Sequence, residues 1–389
     1  MATDATAADA RSRAQEERVA AVLEFAKKRL SPGAAKRDAA GTFDRKLWDE
    51  AAEFGLAGLP IPEEWGGSGL DAVETMQIVE ALGKGCEDGG LIFSLSAHMF
   101  ASAVPFWRSR SKALHERYLR PIAEGKLICA NGTTEPEAGS DIYAMKTVAT
   151  KSGSEYVLSG TKCFITNAPI ADLFLIYAST NPSRGFLGIS SFLIPRDTPG
   201  LRVVPEHTKM GLRTSPWGTI YLEDCKVPES SRVGSEGSGA LQFNESMVWE
   251  RGCLFAYYVG AMDRVLARCV DHVRTRAQFG RKLGSFQMVS NRIVDMKLRL
   301  ESSRLLLYRG GELHRAGKRC DEAVALSKLH ISESAVQNGL DAIQIFGGTA
   351  IVSETGIDAL LRDAVPSRIF SGSSEMQRMI VARMMGLPS

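Results

Sequence analysis

Apolar residues return to one face at Val19, Val22, Leu23, Ala26 and Leu30, which predicts a helix over 16–30 that Ser31-Pro32-Gly33 stops. Phe43, Leu47, Ala51 and Phe54 mark a second helix, and Asp71 is placed to cap a third that runs through Gly83. Residues 91–107 are almost wholly apolar or small and read as a buried helix; 112–127 is helix-like again. Past Asp141 the period shortens. Segments 156–158, 162–166, 173–177, 192–194, 201–204 and 219–222 are short and β-rich, separated by Gly, Pro, Asn and Asp. From Leu241 the helical period resumes over 241–276, 286–316, 321–346 and 354–363, with a last helix from about Ser374. Turn signals at Gly280, Gly317 and Gly347-Gly348 divide most of these. The expected class is α+β: an N-terminal helical domain over 1–126, a small antiparallel β-barrel or sandwich over 127–235, and a C-terminal four-helix bundle over 236–389.

Composition narrows the function classes. A chain of 389 residues with 44% hydrophobic and 24% charged residues is long enough for a large core and ordinary for a globular protein. A net charge of +2 gives no field that would favour nucleic acid. The seven cysteines are scattered, with no C-x-x-C pair and no metal-like histidine spacing, so we expect a reducing compartment, a cytoplasmic location and no metal. Residues 1–13 read as a frayed tail without a signal sequence, and no segment reads as a membrane span.

The chemistry concentrates in Cys129 to Asp141, C-A-N-G-T-T-E-P-E-A-G-S-D. Pro136 and Gly139 break regular structure, Thr133, Thr134 and Ser140 offer hydroxyls, and Gly139 lets backbone approach a ligand. Alone, this reads more readily as a solvated turn between two domains than as a cradle for a planar heterocycle. A second run, Lys162-Cys163-Phe164-Ile165-Thr166-Asn167, changes that. T-E-P-x-A-G-S-D followed by K-x-[aromatic]-I-T-N resembles the flavin-binding strands of the acyl-CoA dehydrogenase family. Glu137 stands where that family usually has Gly, and Phe164 where it often has Trp. The turn from Ile61 through Gly67 resembles the family's P-E-x-[aromatic]-G-G. Arg276 to Gly280 resembles R-x-x-F-G, and Gln344 to Gly348 resembles Q-[aliphatic]-x-G-G.

The resemblance implies FAD as cofactor and the α,β-dehydrogenation of an acyl thioester. A carboxylate takes the α-proton while the β-hydrogen leaves as hydride to flavin N5. Such a base must be desolvated so that its pKa rises toward that of its substrate. The family's commonest position for that acid is occupied here by Ser371, which cannot serve. A branch that includes isovaleryl-CoA dehydrogenase carries its glutamate on a bundle helix just before an arginine, and this chain reads Val248-Trp249-Glu250-Arg251. Glu250 is therefore the expected base, with Glu375 as a rival. By the same resemblance the flavin is held by Asn131, Thr133, Thr134, Gly139, Ser140, Phe164, Ile165 and Thr166. Its phosphates and adenosine half would meet Arg276, Phe279, Gln287, Gln344, Ile345, Phe346, Gly347 and Gly348, and Ser373, Ser374 and Glu375 would face its ribityl and phosphate end. Ser140, Val248, Trp249, Arg251, Ser371 and Gly372 would line the substrate.

The acyl group could ride on coenzyme A or on an acyl carrier protein. Electrons would pass to an electron-transfer flavoprotein or to oxygen, and a cofactor that spans two chains implies a homodimer or homotetramer. Two other readings stay open: a flavin monooxygenase or oxidase on the same fold, and a non-catalytic flavoprotein scaffold. His98 reads as a satisfied core histidine, with an acyl-pocket wall as its alternative. Phe93, Met99, Phe100 and Trp249 are candidates for setting pocket depth.

Overall fold

The computed structural model describes residues 2–206 and 208–388. Helix α1 (Ala2–Phe25) runs directly into a π-type turn, Ala26–Leu30. The expected frayed tail is thus helical from Ala2, and Met1 lies outside the described residues. Its inner end is tied down: Arg11 Nε donates to Glu74 at 2.7 Å and Gln15 Nε2 to the Glu74 carbonyl at 3.0 Å. Helices α2 (Ala34–Ala40) and α3 (Arg45–Glu53) follow, the latter capped by Asp44. Asp71 and Glu74 form a reciprocal capping box at the start of α4 (Ala72–Gly85).

The apolar segment forms α5 (Gly89–Ser96), a π-type stretch (Ala97–Ala103) and α6 (Val104–Arg108). By length and composition Gly89–Arg108 could cross a membrane, contrary to the expectation from sequence; in this fold 89% of its apolar window is buried as a core helix. His98 is the satisfied core histidine. Its Nε2 lies 3.0 Å from the Ile122 carbonyl, at the end of α7 (Lys112–Ala123), and its Nδ1 accepts from the Cys129 N–H at 3.0 Å. That second bond fixes where the first strand begins.

The middle region is one sheet in the order β6-β7-β3-β2-β4-β5-β8. The strands are β1 (Cys129–Gly132), β2 (Val148–Ser152), β3 (Glu155–Thr166), β4 (Leu173–Ser179), β5 (Ile189–Pro195), β6 (Leu201–Glu206), β7 (Trp217–Pro228) and β8 (Arg232–Val233). Pairing is antiparallel except at β4, which takes both β1 and the end of β2 in parallel. β4 is buried throughout, so its sequence shows a continuous apolar run and no alternation. The two segments expected at 156–158 and 162–166 are one strand, broken in register by bulges at Gly160 and near Phe164.

The bundle comprises α8 (Gly239–Trp249), a π-type turn (Glu250–Leu254), α9 (Ala256–Thr275), α10 (Gln287–Arg315), α11 (Asp321–Phe346), α12 (Ala359–Ser367) and α13 (Ser374–Met384). Helix α12 begins later than the sequence pattern suggests because a 3-10 turn and Gly356 at φ 64° precede it. α4 packs against α9 with backbones in close approach. A Cβ on Gly83 would lie 2.1 Å from the Tyr257 carbonyl oxygen, and one on Gly260 2.0 Å from that of Glu80. The three regions meet at a polar joint, where Leu212 N–H donates to Asp363 at 2.6 Å, Tyr258 OH donates to the Asp363 carbonyl, and Asp88 receives Arg37 and Thr214.

Candidate active site

Glu250 opens the π-type turn that joins α8 to α9. Such a turn inserts an extra residue into the helix and re-aims the side chains that follow, and it recurs at functional sites. Trp249 and Glu250 accordingly diverge. The Trp249 ring packs edge-on against His314 of α10 at 4.8 Å, whereas the Glu250 carboxylate accepts a hydrogen bond from Ser371 Oγ. Trp249, expected along the substrate, thus belongs to the bundle packing. Val248 lies partly buried beside it.

Ser371 stands in the loop between α12 and α13 with φ 55°, and Gly372 follows at φ 85°. A left-handed serine is uncommon and needs outside support. Arg251 supplies it, donating from Nε to the Ser371 carbonyl at 2.8 Å, while Gln377 Nε2 donates to the Gly372 carbonyl at 2.9 Å. The Glu-Arg pair therefore grips one residue from two ends: Glu250 takes its hydroxyl and Arg251 its carbonyl. A Cβ on Gly372 would sit 2.8 Å from Gln377 Nε2 and 3.2 Å from Arg251 Nη2. Among the described residues, no hydrogen bond engages the N–H of Ser371 or Gly372.

Burial raises the Glu250 carboxyl above the ordinary carboxylate range, against the Ser371 hydrogen bond and the Arg251 and Lys328 charges, which pull it down. Lys328, on α11, was not found from sequence. Its side chain is 0% exposed, its Nζ has no hydrogen-bond partner, and it lies 5.3 Å from the Phe255 ring centroid. Burial first, and then the Arg251 charge, push it down to about 7. In the sequence it is one polar position in an otherwise ordinary helical pattern and carries no signal. Glu375 is exposed beside Arg378, and hydrogen bonds from its own backbone and from Ser373 hold it below the usual range. That is the reverse of what a general base requires.

The T-E-P run is anchored from beneath. Lys162 Nζ meets Glu135 at 2.7 Å with both side chains buried, and Glu135 also accepts from the Lys146 and Thr147 N–H groups. Asn131 on β1 reaches the helix behind it. Pro105 cannot donate to the Ala101 carbonyl four residues back, and Asn131 Nδ2 reaches that oxygen at 2.5 Å. Thr133 donates to Asn131 Oδ1, and the Thr134 carbonyl accepts from Cys163 N–H. At the second bulge of β3, Phe164 has φ 58° and its ring is 60% exposed, stacked on Trp217 at 5.2 Å. A bulge that turns an aromatic out of a sheet beside a site is a recurrent device. Ile165 is buried and Thr166 half-buried. Trp217 was missed because only the β3–β7 register brings it there. Ser140 is exposed, and a Cβ on Gly139 would meet no protein atom within 4 Å, so crowding within the chain does not explain that glycine.

A second group of expected residues gathers elsewhere, at one end of the bundle. Arg276 closes α9, and Phe279-Gly280 forms the two-residue turn of a hairpin between β9 (Ala277–Gln278) and β10 (Arg281–Lys282). Phe279 is 94% exposed. Phe346, ending α11, stacks on His272 of α9 at 4.2 Å, and Gln287, Gln344, Gly347 and Gly348 are exposed near these ends. Ile345 is buried. Among the described residues no hydrogen bond, ion pair or ring contact joins this group to Glu250. Ser373 caps α13, and Ser374 is buried with its hydroxyl given to Glu333.

The residues present fit a flat, extended cofactor: an exposed Phe164 ring stacked on Trp217, hydroxyls just past a braced strand, a half-buried carboxylate, and exposed arginine and glutamine at helix ends. Comparison with known proteins agrees. The acyl-CoA dehydrogenase N-terminal, middle and C-terminal domain models match residues 12–126, 130–225 and 237–386. The chain is 50% identical over 342 residues to an L-prolyl-[peptidyl-carrier protein] dehydrogenase of Serratia sp., covering 88% of this chain and 89% of that one. A solved structure described as PigA with FAD and proline matches at TM-score 0.94 and 47% identity, over 96% of this chain and 98% of that one. The prolyl acyl carrier protein oxidase AnaB matches at TM-score 0.94 and 40% identity, over 96% and 99%. The chain belongs to the acyl-CoA dehydrogenase family, as an FAD-dependent oxidoreductase of acyl thioesters.

Proposed function

We propose that this protein desaturates a prolyl group held as a thioester on a peptidyl carrier protein, with Glu250 as the general base. The observation that carries the catalytic part is the desolvated Glu250 carboxylate, held by Ser371 on a loop that Arg251 and Gln377 pin. The substrate part is supported by the relatives, whose descriptions name prolyl-carrier-protein dehydrogenase and oxidase activities at 40% to 50% identity over most of both chains.

The α C–H of a thioester is a weak acid, so the carbonyl must be polarised as the proton leaves. The Ser371 and Gly372 N–H groups serve as donors to that oxygen. The missing side chain at Gly372 lets the carbonyl approach, and Glu250 takes the α-proton. The Ser371 hydroxyl keeps the carboxylate turned to the cleft. Thr133, Thr134, Phe164 and Thr166 hold the FAD ring system, and Arg276, Phe279 and Gln287 its phosphates. FAD, when bound, supplies the acceptor for the β-hydrogen and its electron pair. Gln344, Gly347 and Gly348 serve the FAD of a second copy, which makes the working unit a homodimer or homotetramer. Phe279, Leu305 and Ile351, exposed at 94%, 73% and 74%, support such an assembly. The acceptor of the electrons is an electron-transfer flavoprotein or oxygen. Seven free, buried cysteines fit a cytoplasmic location.

Anaerobic bleaching of the flavin by prolyl-loaded carrier protein, compared with prolyl-CoA and free proline, tests this reading. Bleaching that is fastest with the carrier-bound group, slower with prolyl-CoA and absent with free proline is expected. Equal bleaching by butyryl-CoA, with none by the prolyl carrier, contradicts it.

A further inference from the structure

Three aromatic rings meet beside the Glu250–Ser371 pair. Phe370 immediately precedes Ser371. Its ring lies 4.8 Å from that of Phe93 on α5 and 5.6 Å from that of Phe255, which follows the π-type turn of Glu250. Phe255 is fully buried, and it also packs on Tyr258. Phe93 and Phe370 are half-buried and retain accessible surface. Of the other positions that could set pocket depth, Met99 and Phe100 are turned into the core and Trp249 packs against His314. Phe93 alone among them stands against the loop that carries Ser371.

A thioester placed for proton removal has one end that must leave the protein, because its arm is attached to a carrier. Tyr143 and Asn244 lie on the exposed side of the site, joined by a hydrogen bond of 3.2 Å, and the Tyr143 ring meets Phe186 at 5.2 Å. Asn244 lies on α8, the helix that leads directly into Glu250 and Arg251, which places that rim on the element that carries the residue gripping Ser371. With the arm leaving on that side, the acyl group points the other way, to Phe93, Phe255 and Phe370. Aromatic side chains are bulky and have few rotamers, so a three-ring contact forms a stiff wall.

We propose that Phe93, Phe255 and Phe370 close the acyl pocket behind the α-carbon at the depth of a small ring, and that Phe93 is the residue that decides which acyl groups enter. This rests on the reading that the substrate is a small cyclic acyl thioester. Phe370 cannot be changed without moving the Ser371 loop, and Phe255 is locked between Tyr258 and Lys328. Phe93 comes from a separate helix, α5, and meets the Ser371 loop through the Phe370 ring.

The test uses the flavin-loaded enzyme and two N-acetylcysteamine thioesters, prolyl and hexanoyl, so that carrier docking plays no part. The readout is the anaerobic rate of flavin reduction divided by thioester concentration. In the wild type the hexanoyl thioester should react at least about 100-fold more slowly than the prolyl one, the scale at which a pocket excludes extra methylenes. Phe93→Ala should gain about tenfold or more on hexanoyl while prolyl reduction changes far less. An unchanged hexanoyl-to-prolyl ratio overturns the proposal, as does a wild type that reduces with hexanoyl as readily as with prolyl. If Phe93→Ala does not retain flavin, Phe93→Leu should move the ratio in the same direction by less, and no movement overturns it. A wild type inert to prolyl thioester contradicts the substrate reading instead, and the wall then stands or falls on the hexanoyl gain alone.

Discussion

Around Glu250 the chain supplies its own walls. Ser371, Arg251 and Gln377 interlock there, and Phe93, Phe255 and Phe370 close one side. At the other end of the bundle it does not. Phe279 stands 94% exposed on a two-residue turn, Arg276 is exposed beside it, and Gly347 and Gly348 meet no protein atom where a side chain would be. On the proposed reading the first region fixes the geometry of a proton transfer, and burial there raises the Glu250 carboxyl above its ordinary pKa. The second is open surface, as it would be if the proposed cofactor and second subunit cover it. Chemistry and cofactor retention should therefore fail separately under mutation.

The largest of the separable losses is expected at Gly372. Gly372→Ala brings a Cβ against Gln377 and Arg251 at a left-handed φ of 85°. It should lower kcat/KM by roughly 100-fold, the scale of losing an oxyanion donor, with full FAD content by absorbance. Arg276→Ala is the complementary case. FAD affinity should fall by about tenfold as a charge-assisted phosphate contact is lost, measured by flavin release on dilution, while kcat at saturating FAD stays within about twofold. A Gly372→Ala protein that sheds its flavin, or an Arg276→Ala protein that keeps flavin and loses turnover, would merge the two regions again.

Smaller effects sharpen the picture. The base acts deprotonated, so the rate of flavin reduction should climb with pH through the raised Glu250 pKa and then level. Lys328 is one of the charges that hold that pKa down. Lys328→Met should therefore move the climbing limb to higher pH in a stopped-flow pH series. Asp363 lies outside both regions, at the joint of all three. Burial there pushes it up from 3.8 to about 7. Its folded pKa is above its unfolded one, so the stability it contributes is complete below about pH 4 and is lost as pH rises through 7. Asp363→Asn should flatten the fall in Tm between pH 5 and 8 and leave FAD content and kcat nearly unchanged.

Sequence alone carried the helical, β, helical order, because the apolar periods at 19–30, 241–276 and 321–346 all fall in helical regions, although a π-type turn at Glu250–Leu254 divides the second. It pointed to Glu250 only through the resemblance, with Ser371 at the family's usual acid position and a glutamate just before Arg251, because the Glu-Arg pair alone reads like any helix charge. What it could not carry depends on register. Trp217 stacks on Phe164 only because β3 bulges where it pairs β7. Phe93 meets Phe370 from 277 residues away in sequence, and Lys328 packs on Phe255 from a helix that also buries ordinary core residues. The parallel pairing of β4 with β1 was hidden because burial on both faces erases the alternation that reveals a face.

The central claim is that one desolvated carboxylate removes the α-proton. Its most direct test is single-turnover, anaerobic flavin reduction by prolyl-loaded carrier protein, with wild type and Glu250→Gln compared across pH. The wild type should bleach along a limb centred above the ordinary carboxylate range. Glu250→Gln should keep its FAD, bleach at least about 100-fold more slowly and show no such limb. Bleaching of the Glu250→Gln protein at the wild-type rate, with the same pH dependence, would contradict the account.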